Sequence, residues 1–395
     1  MTDIKEIFFG KLSPIRLAAC ALLAFISTLS LRVYFEVGSG LETGNFLTDN
    51  LSKLANQFAH DGVSDILIFA AVFLLICFAA REERADRWAL LLAFVFAGFY
   101  LVSMVCMNLG SFQFFFANIY QLCLSLLLIL GYTVLFHAAL RLVYRLMDQQ
   151  SQREEKPLRH PLRTAALIIF LCWLPWLISN YPCSFCPDAT GQVEQWLGRV
   201  TRTAHHPPFS TLLMGLCVSL GDFIWDRNFG AFLYILFQSI SGAFVFAYML
   251  SVLYKLGISR RLWTVLLIFF CTPFWGMFAQ WFEKDFVYAQ AFALCLTFIL
   301  PVIVQRRCSL KAALCIGITA LLAILLRKTG SYELIPAMLL IALWLRKKDR
   351  LRLLASTLAV IVLSSCVNNV LYPALGIEDA SVREALSLPF QQTAR

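Results

Sequence analysis

Residues 229–253 read FGAFLYILFQSISGAFVFAYMLSVL, a run without a single Lys, Arg, Asp or Glu. As an α-helix rising roughly 1.5 Å per residue, such a run exceeds the roughly 30 Å of a bilayer's hydrocarbon core. In hydrocarbon every backbone N–H and C=O must be satisfied within the protein, so a spanning segment of this kind is helical. Comparable apolar stretches recur on both sides of it, from residue 14 to residue 373. The whole chain of 395 residues is 60% hydrophobic and 14% charged, with a mean hydropathy of +0.73. A soluble domain is nearer half apolar and a quarter charged. These proportions exclude an ordinary soluble enzyme and predict an all-α, polytopic integral membrane protein.

Spans are expected at about 14–36, 62–80, 88–106, 117–140, 164–179, 229–253, 262–279, 286–304, 310–326, 331–345 and 353–372, which makes eleven crossings. With the N-terminus inside, 23 Lys and Arg fall on the cytoplasmic side and nine outside, and Arg32 lies near the end of the first span. This is the positive-inside bias. One further apolar stretch, Pro208 to Gly221, is short for a crossing, and counting it as one would lower the inside total from 23 to 18. It is therefore expected to lie in the outer interface. The N-terminal run has no small-residue cleavage site and reads as a retained anchor. The polar stretch MDQQSQREEKPLRHPLR, residues 147–163, is the strongest composition break. It divides the chain into an N-terminal four-span unit, 1–146, a cytoplasmic linker, 147–163, and a second module, 164–395. The outer segment LSKLANQFA, capped by Asp49 or Asn50, reads as a short surface helix, and Phe112, Phe114, Phe115, Phe116 and Tyr120 as an aromatic interface belt.

The net charge of +9 is accounted for by topology: no basic run interleaved with aromatics occurs, so no nucleic-acid partner is expected. Most of the 13 cysteines lie inside spans as small apolar fillers. Cys183 and Cys186 form a C-x-x-C outside them, without the second pair or histidine spacing of a zinc site; an exported disulfide and two free thiols both remain open. No metal ligands are assigned, and a divalent cation is allowed without being indicated.

Polar chemistry gathers at the expected outer face, beginning at Asn180. The segment after it reads NYPCSFCPDATGQVEQWLGRVTRTAHHPPFSTLLMGLCVSLG. Asp188 either caps the short helix that follows or acts in a site. His205 and His206 precede two prolines, the second of which suits a helical first turn. The turn after the seventh span adds Glu283, Lys284 and Asp285, and the turn after the ninth adds Arg327, Lys328 and Gly330. Charges at span ends can simply snorkel. Acid, imidazole and base converging on one leaflet point to a site.

The order of these pieces resembles the GT-C glycosyltransferase superfamily, which includes mannosyl, arabinosyl and aminoarabinosyl transferases using polyprenyl-phosphate sugars. An acidic loop residue (Asp188) is followed by His206-Pro207-Pro208-Phe209, a helix ending Leu220-Gly221 and a long span. Lys284-Asp285 looks like that superfamily's second acidic site, and Arg327-Lys328-Thr329-Gly330 like its basic turn against the donor phosphate. Tyr181-Pro182, Pro187-Asp188, the histidines and the terminal LPFQQTAR resemble an uncharacterised bacterial branch. The resemblance covers about residues 164–395. It departs at Cys183, where a Gly is expected, and at Asp188, which stands alone where many relatives carry an acidic pair.

The resemblance implies transfer of a sugar, with inversion, from a polyprenyl-phosphate donor to a lipid or cell-envelope acceptor at the outer face of the plasma membrane. Asp188 would accept the acceptor's proton. Arg327 and Lys328, supplemented by His205 and His206, would meet the donor phosphate. Asp285 would be a second acid that orients a substrate or pairs with Lys284. Leu212, Leu213, Leu216 and Val218 of the interfacial helix would wall a groove for the prenyl chain, with membrane lipid as the surroundings. The alternatives are a lipid-linked saccharide transporter and a non-catalytic scaffold. Against a transporter, few charges lie deep in the spans and no paired halves are visible.

Overall fold

The computed structural model describes residues 12–32, 46–81, 87–109, 112, 115, 119–150 and 158–379. They form two compact units divided between Gln152 and Arg153. The first unit contains α1 (Pro14–Arg32), α2 (Phe46–Ala80), α3 (Arg87–Leu109) and α4 (Ile119–Gln150). The second contains α5 (Pro161–Ser179), β1 (Ser184–Phe185), α6 (Pro187–Trp196), α7 (Pro208–Ile224), α8 (Arg227–Lys255), α9 (Arg260–Cys271) and α10 (Pro273–Ala279). It continues through β2 (Trp281–Phe282), α11 (Lys284–Gln305), α12 (Leu310–Leu326), α13 (Gly330–Trp344), α14 (Lys347–Cys366), a π-helical turn over Val367–Leu371 and α15 (Tyr372–Ala374). The chain is an all-α, multi-pass membrane protein.

Among the described residues, eight helices are long and apolar enough to cross a bilayer. A ninth span results if α9 and α10, bent by 49°, are taken together. The bend sits at Thr272, extended at ψ 152° because the following Pro273 clashes with a helical predecessor. The shorter α12 and α13 coincide with the two remaining expected spans. The surface helix expected around Asn50 is instead continuous with the second span: α2 is a single helix of 35 residues. Phe112 is exposed and Phe115 half-buried, while Phe114, Phe116, the Tyr120 side chain and the LPFQQTAR terminus lie outside the described residues.

The first unit packs through small residues. Ala89, Ala93, Ala97, Leu101 and Val105 recur every fourth position of α3 and are fully buried, the last three beside Leu128 and Tyr132 of α4. α1 and α4 approach so closely that a side chain at Gly131 would meet Ser30, and Tyr132 donates to the Ser30 carbonyl at 2.6 Å. In the second unit an aromatic core surrounds Trp173, whose indole N–H donates to the Phe270 carbonyl at 2.9 Å. α7 and α8 meet backbone to backbone, since a Cβ on Gly221 would strike Gly230. That close crossing buries Ser210, Thr211, Met214, Val218 and Gly221 on one face of α7 and leaves Leu212, Leu216, Leu220 and Phe223 on the other.

Candidate functional site

The site is built on a parallel pairing of two-residue strands. Ser184 lies opposite Trp281 and Phe185 opposite Phe282. The Ser184 N–H donates to the Gln280 carbonyl at 3.3 Å and to its side-chain Oε1 at 3.0 Å. Each strand runs into a helix, β1 into α6 at Pro187 and β2 into α11 at Lys284. Parallel register therefore sets the first turns of α6 and α11 beside each other. Asp188 and Asp285 occupy those first turns, where the helix dipole favours an anion. Asp188 is thus the second residue of its helix, and Cys186 stands at the capping position.

β2 is suspended from the middle of α8. Tyr234 donates its hydroxyl to the Glu283 carbonyl at 2.9 Å. The fully buried Gln238 donates through Nε2 to the carbonyls of Ala279 at 2.9 Å and Trp281 at 2.6 Å. Ser239 adds a bond to Ala279 at 3.0 Å. Carbonyls at the end of a short helix have no partners of their own, and burial without a donor is costly. The polar side chains inside this apolar span answer that need.

On this frame Lys284 reaches Asp188, Nζ to Oδ2 at 3.2 Å, and His206 Nδ1 stands 3.9 Å from the same oxygen. The Lys284 side chain is only 10% exposed and that of Asp188 51%, so the acid faces outward from a buried base. The His205 and His206 rings lie edge to face at 4.5 Å. Arg327 pairs with Asp285, Nη1 to Oδ1 at 3.0 Å, and sits 5.7 Å from the centre of the Tyr288 ring. Tyr288 in turn donates to Glu333 at 3.1 Å. Lys328 donates from Nζ to the Ala204 carbonyl at 2.7 Å. The 202–204 segment is held from its other side too, by Glu378, whose N–H meets the Arg202 carbonyl at 2.9 Å while its own carbonyl accepts from Ala204 at 2.7 Å.

Two carboxyls are shifted in opposite directions. Burial would raise Asp188, but the hydrogen bond and charge of Lys284, with the two imidazoles, outweigh it and hold the carboxyl below its ordinary value. Glu283 is pushed up, first by burial and then by the charge and hydrogen bond of Asp285, against a smaller opposing pull from Lys284. Neighbouring carboxyls with divergent affinities for the proton characterise acid–base sites and structural ion-pair networks alike.

All seven residues singled out in the sequence, Asp188, His205, His206, Lys284, Asp285, Arg327 and Lys328, therefore gather at one end of the second unit. The partnerships differ from the simplest expectation. Lys284 bonds Asp188 and not its neighbour Asp285, because adjacent residues in a helical turn point about 100° apart. Arg327 and Lys328 are engaged by a carboxylate and a carbonyl. Glu283, placed at this face by the sequence without a role, joins the cluster, as do Tyr288 and Glu333, which the sequence did not single out. Gln238 and Tyr234 position it, and an amide within a hydrocarbon-length run was the available signal. Among the described residues, no three His, Cys, Asp or Glu side chains converge as a metal would require.

An apolar cavity of about 530 Å³ adjoins the 202–204 segment. Trp196, Phe209, Leu212, Leu325, Leu371 and Tyr372 form much of its wall, and Arg202 is its charged residue. Of the α7 residues expected to wall a groove, Leu212 does so; Leu213 packs partly buried against the core, Val218 is buried in the helix packing, and Leu216 is more than half exposed.

A membrane protein of the α-helical class, carrying a paired-charge cluster beside an apolar cavity, is what the fold and site define. Residues 198–395 match the family described as "Family of unknown function (DUF6020)", and the chain belongs to that family. No curated protein and no solved structure matches it.

Proposed function

We propose that this protein is an inverting membrane glycosyltransferase that moves a sugar from a polyprenyl-phosphate donor to a lipid or cell-envelope acceptor. The N-terminus is cytoplasmic and the Asp188 loop lies on the extracytoplasmic face of the plasma membrane, as the distribution of Lys and Arg favours. The observation that carries the reading is the Asp188–Lys284 pair, set beside Asp285–Arg327 and separated by the 202–206 segment from an apolar cavity. A substrate with a phosphate head and a hydrocarbon tail has both ends accommodated there.

In the proposed reaction the anomeric C–O bond to phosphate breaks as an acceptor oxygen attacks from the opposite face. The acceptor's proton passes to Asp188, and the bonding electrons leave with the phosphate. Because Lys284 and the imidazoles hold the Asp188 carboxyl down, it is a weak base. Proton transfer is then late, and much of the rate comes from positioning. Arg327 and Lys328 exchange their present partners for the departing phosphate, with His205 and His206 adding donors. Lys284 remains the fixed cation that orients Asp188.

The test is transfer of labelled sugar from polyprenyl-phosphate donors in membranes expressing the full chain, comparing wild type with Asp188→Ala. Product that disappears in the variant while donor is still retained supports the reading. No product from any donor, with the protein folded and inserted, refutes it and leaves a saccharide transporter or scaffold.

A further inference from the structure

We propose that Cys183 and Cys186 form a thiol modification site whose oxidation to a disulfide dismantles the β1–β2 pairing and parts Asp188 from Lys284. Both cysteines are free and half-buried, and they flank β1 on either side. Ser184 and Phe185 between them are in strand conformation, and Cys186 continues it at φ −95° and ψ 142°. Three extended residue steps separate the two Cα atoms by roughly 10 Å. A disulfide needs them at about 4.4–6.8 Å. The bond and the strand are therefore mutually exclusive: to close the disulfide, residues 183–186 must fold into a turn.

That turn has a defined consequence. It withdraws the Ser184 N–H from Gln280 and Phe185 from Phe282, whose rings lie 5.6 Å apart. Those contacts are the ones that set the first turn of α6 beside that of α11. Asp188 follows Cys186 by two residues, so it moves with the turn, while Lys284 stays with α11 and its attachments to α8.

The chemistry is ordinary thiol–disulfide exchange with a small disulfide or an exported thiol oxidase as oxidant. The Cys183 thiol is pushed up to about 12 by burial, which makes Cys186 the first nucleophile. With oxidised glutathione, the Cys186 thiolate attacks one glutathione sulfur and expels the other as a thiolate. The Cys183 thiolate then attacks the Cys186 sulfur and expels the second glutathione. The protein loses two electrons and two protons, and the oxidant's disulfide becomes two thiols. The second step waits on strand opening, which also brings Cys183 out of burial.

The inference goes beyond the transferase reading, and its test uses no sugar donor, so the two can fail separately. Full-length protein in lipid nanodiscs is equilibrated with oxidised and reduced glutathione at stepped ratios. Peptide mass spectrometry reads the Cys183–Cys186 bond, and hydrogen exchange reads the Ser184 amide. The expected result is a disulfide in the oxidised sample with at least tenfold faster exchange at Ser184. The double variant Cys183→Ala/Cys186→Ser is expected to keep a buffer-independent exchange rate. Absence of the disulfide in fully oxidised glutathione overturns the proposal, as does a disulfide that leaves Ser184 as protected as before.

Discussion

Replacing Gln238 by Leu should loosen the site through the strand that leads into it. The substitution keeps nearly the same volume at a fully buried position of α8, so packing is not the main loss. What disappears is the Nε2 group that bonds the carbonyls of Ala279 and Trp281 at 2.9 and 2.6 Å. Ala279 keeps a donor in the Ser239 hydroxyl, 3.0 Å away. Trp281 loses its side-chain donor, and orphaning a part-buried carbonyl costs about 1–3 kcal/mol, with roughly 1 kcal/mol more for the second bond. The total of about 2–4 kcal/mol falls on the α10–β2–α11 junction. Local opening there should become roughly thirty- to several-hundred-fold more frequent. Hydrogen exchange at Phe282 and Ser184 would read it directly, and thermal unfolding in detergent would show a lower midpoint. Wild-type exchange at both amides, with an unchanged midpoint, would refute the claim that α8 suspends the strand.

Lys284→Met should destabilise the neutral-pH protein and remove part of its acid sensitivity. A carboxyl held low in the fold contributes stability that is present above its unfolded value near 4 and lost as pH falls through the lowered one; that loss should vanish from denaturation curves taken between pH 2 and 7. Since Asp188 is half exposed, screening limits the pair itself to about 1 kcal/mol. Glu283→Gln should act on the other side: a raised carboxyl favours the fold below its unfolded value and loses that as pH rises through the folded one. The variant's stability should therefore decline less than wild type's between acid and neutral pH. Gly221→Val places a Cβ against the Gly230 backbone, which cannot yield as a flexible side chain would; a loss of about 3 kcal/mol or more is expected, read as a lower unfolding midpoint or failed insertion.

The spans were legible because hydrocarbon length imposes a simple demand on composition. The site was only partly so. Its members could be named, since charged residues crowd the ends of apolar runs, but their partners could not. The partnerships follow from β1 and β2, two residues each, too short for any alternating pattern to register. Tyr234, Gln238 and Ser239 were concealed for a different reason: they occupy an apolar run whose average hydropathy absorbs them, although each buried polar group there needs a partner. The merging of the outer segment into α2 was missed because a cap at Asp49 or Asn50 is a local signal, and the helix begins before it at Phe46. The bend at Thr272-Pro273 was likewise not anticipated, since the expected span 262–279 runs across it, although a residue before proline is disfavoured in a helix.

The paired charges also say how a substrate would have to enter on the proposed reading. Arg327 and Asp285 are both partly exposed, so exchanging that pair for Arg327–phosphate costs little solvation. Lys284 is nearly enclosed, and stripping it of Asp188 would leave a buried ammonium without its carboxylate, which is costly. The exchangeable cation is therefore Arg327, and the fixed one is Lys284. When Arg327 leaves Asp285, the negative charge that already raises Glu283 is no longer neutralised by the guanidinium. The Glu283 carboxyl is then pushed up further. On the proposed reading, a donor phosphate arriving at Arg327 therefore raises the proton affinity of Glu283, while Asp188 keeps Lys284 as its cation.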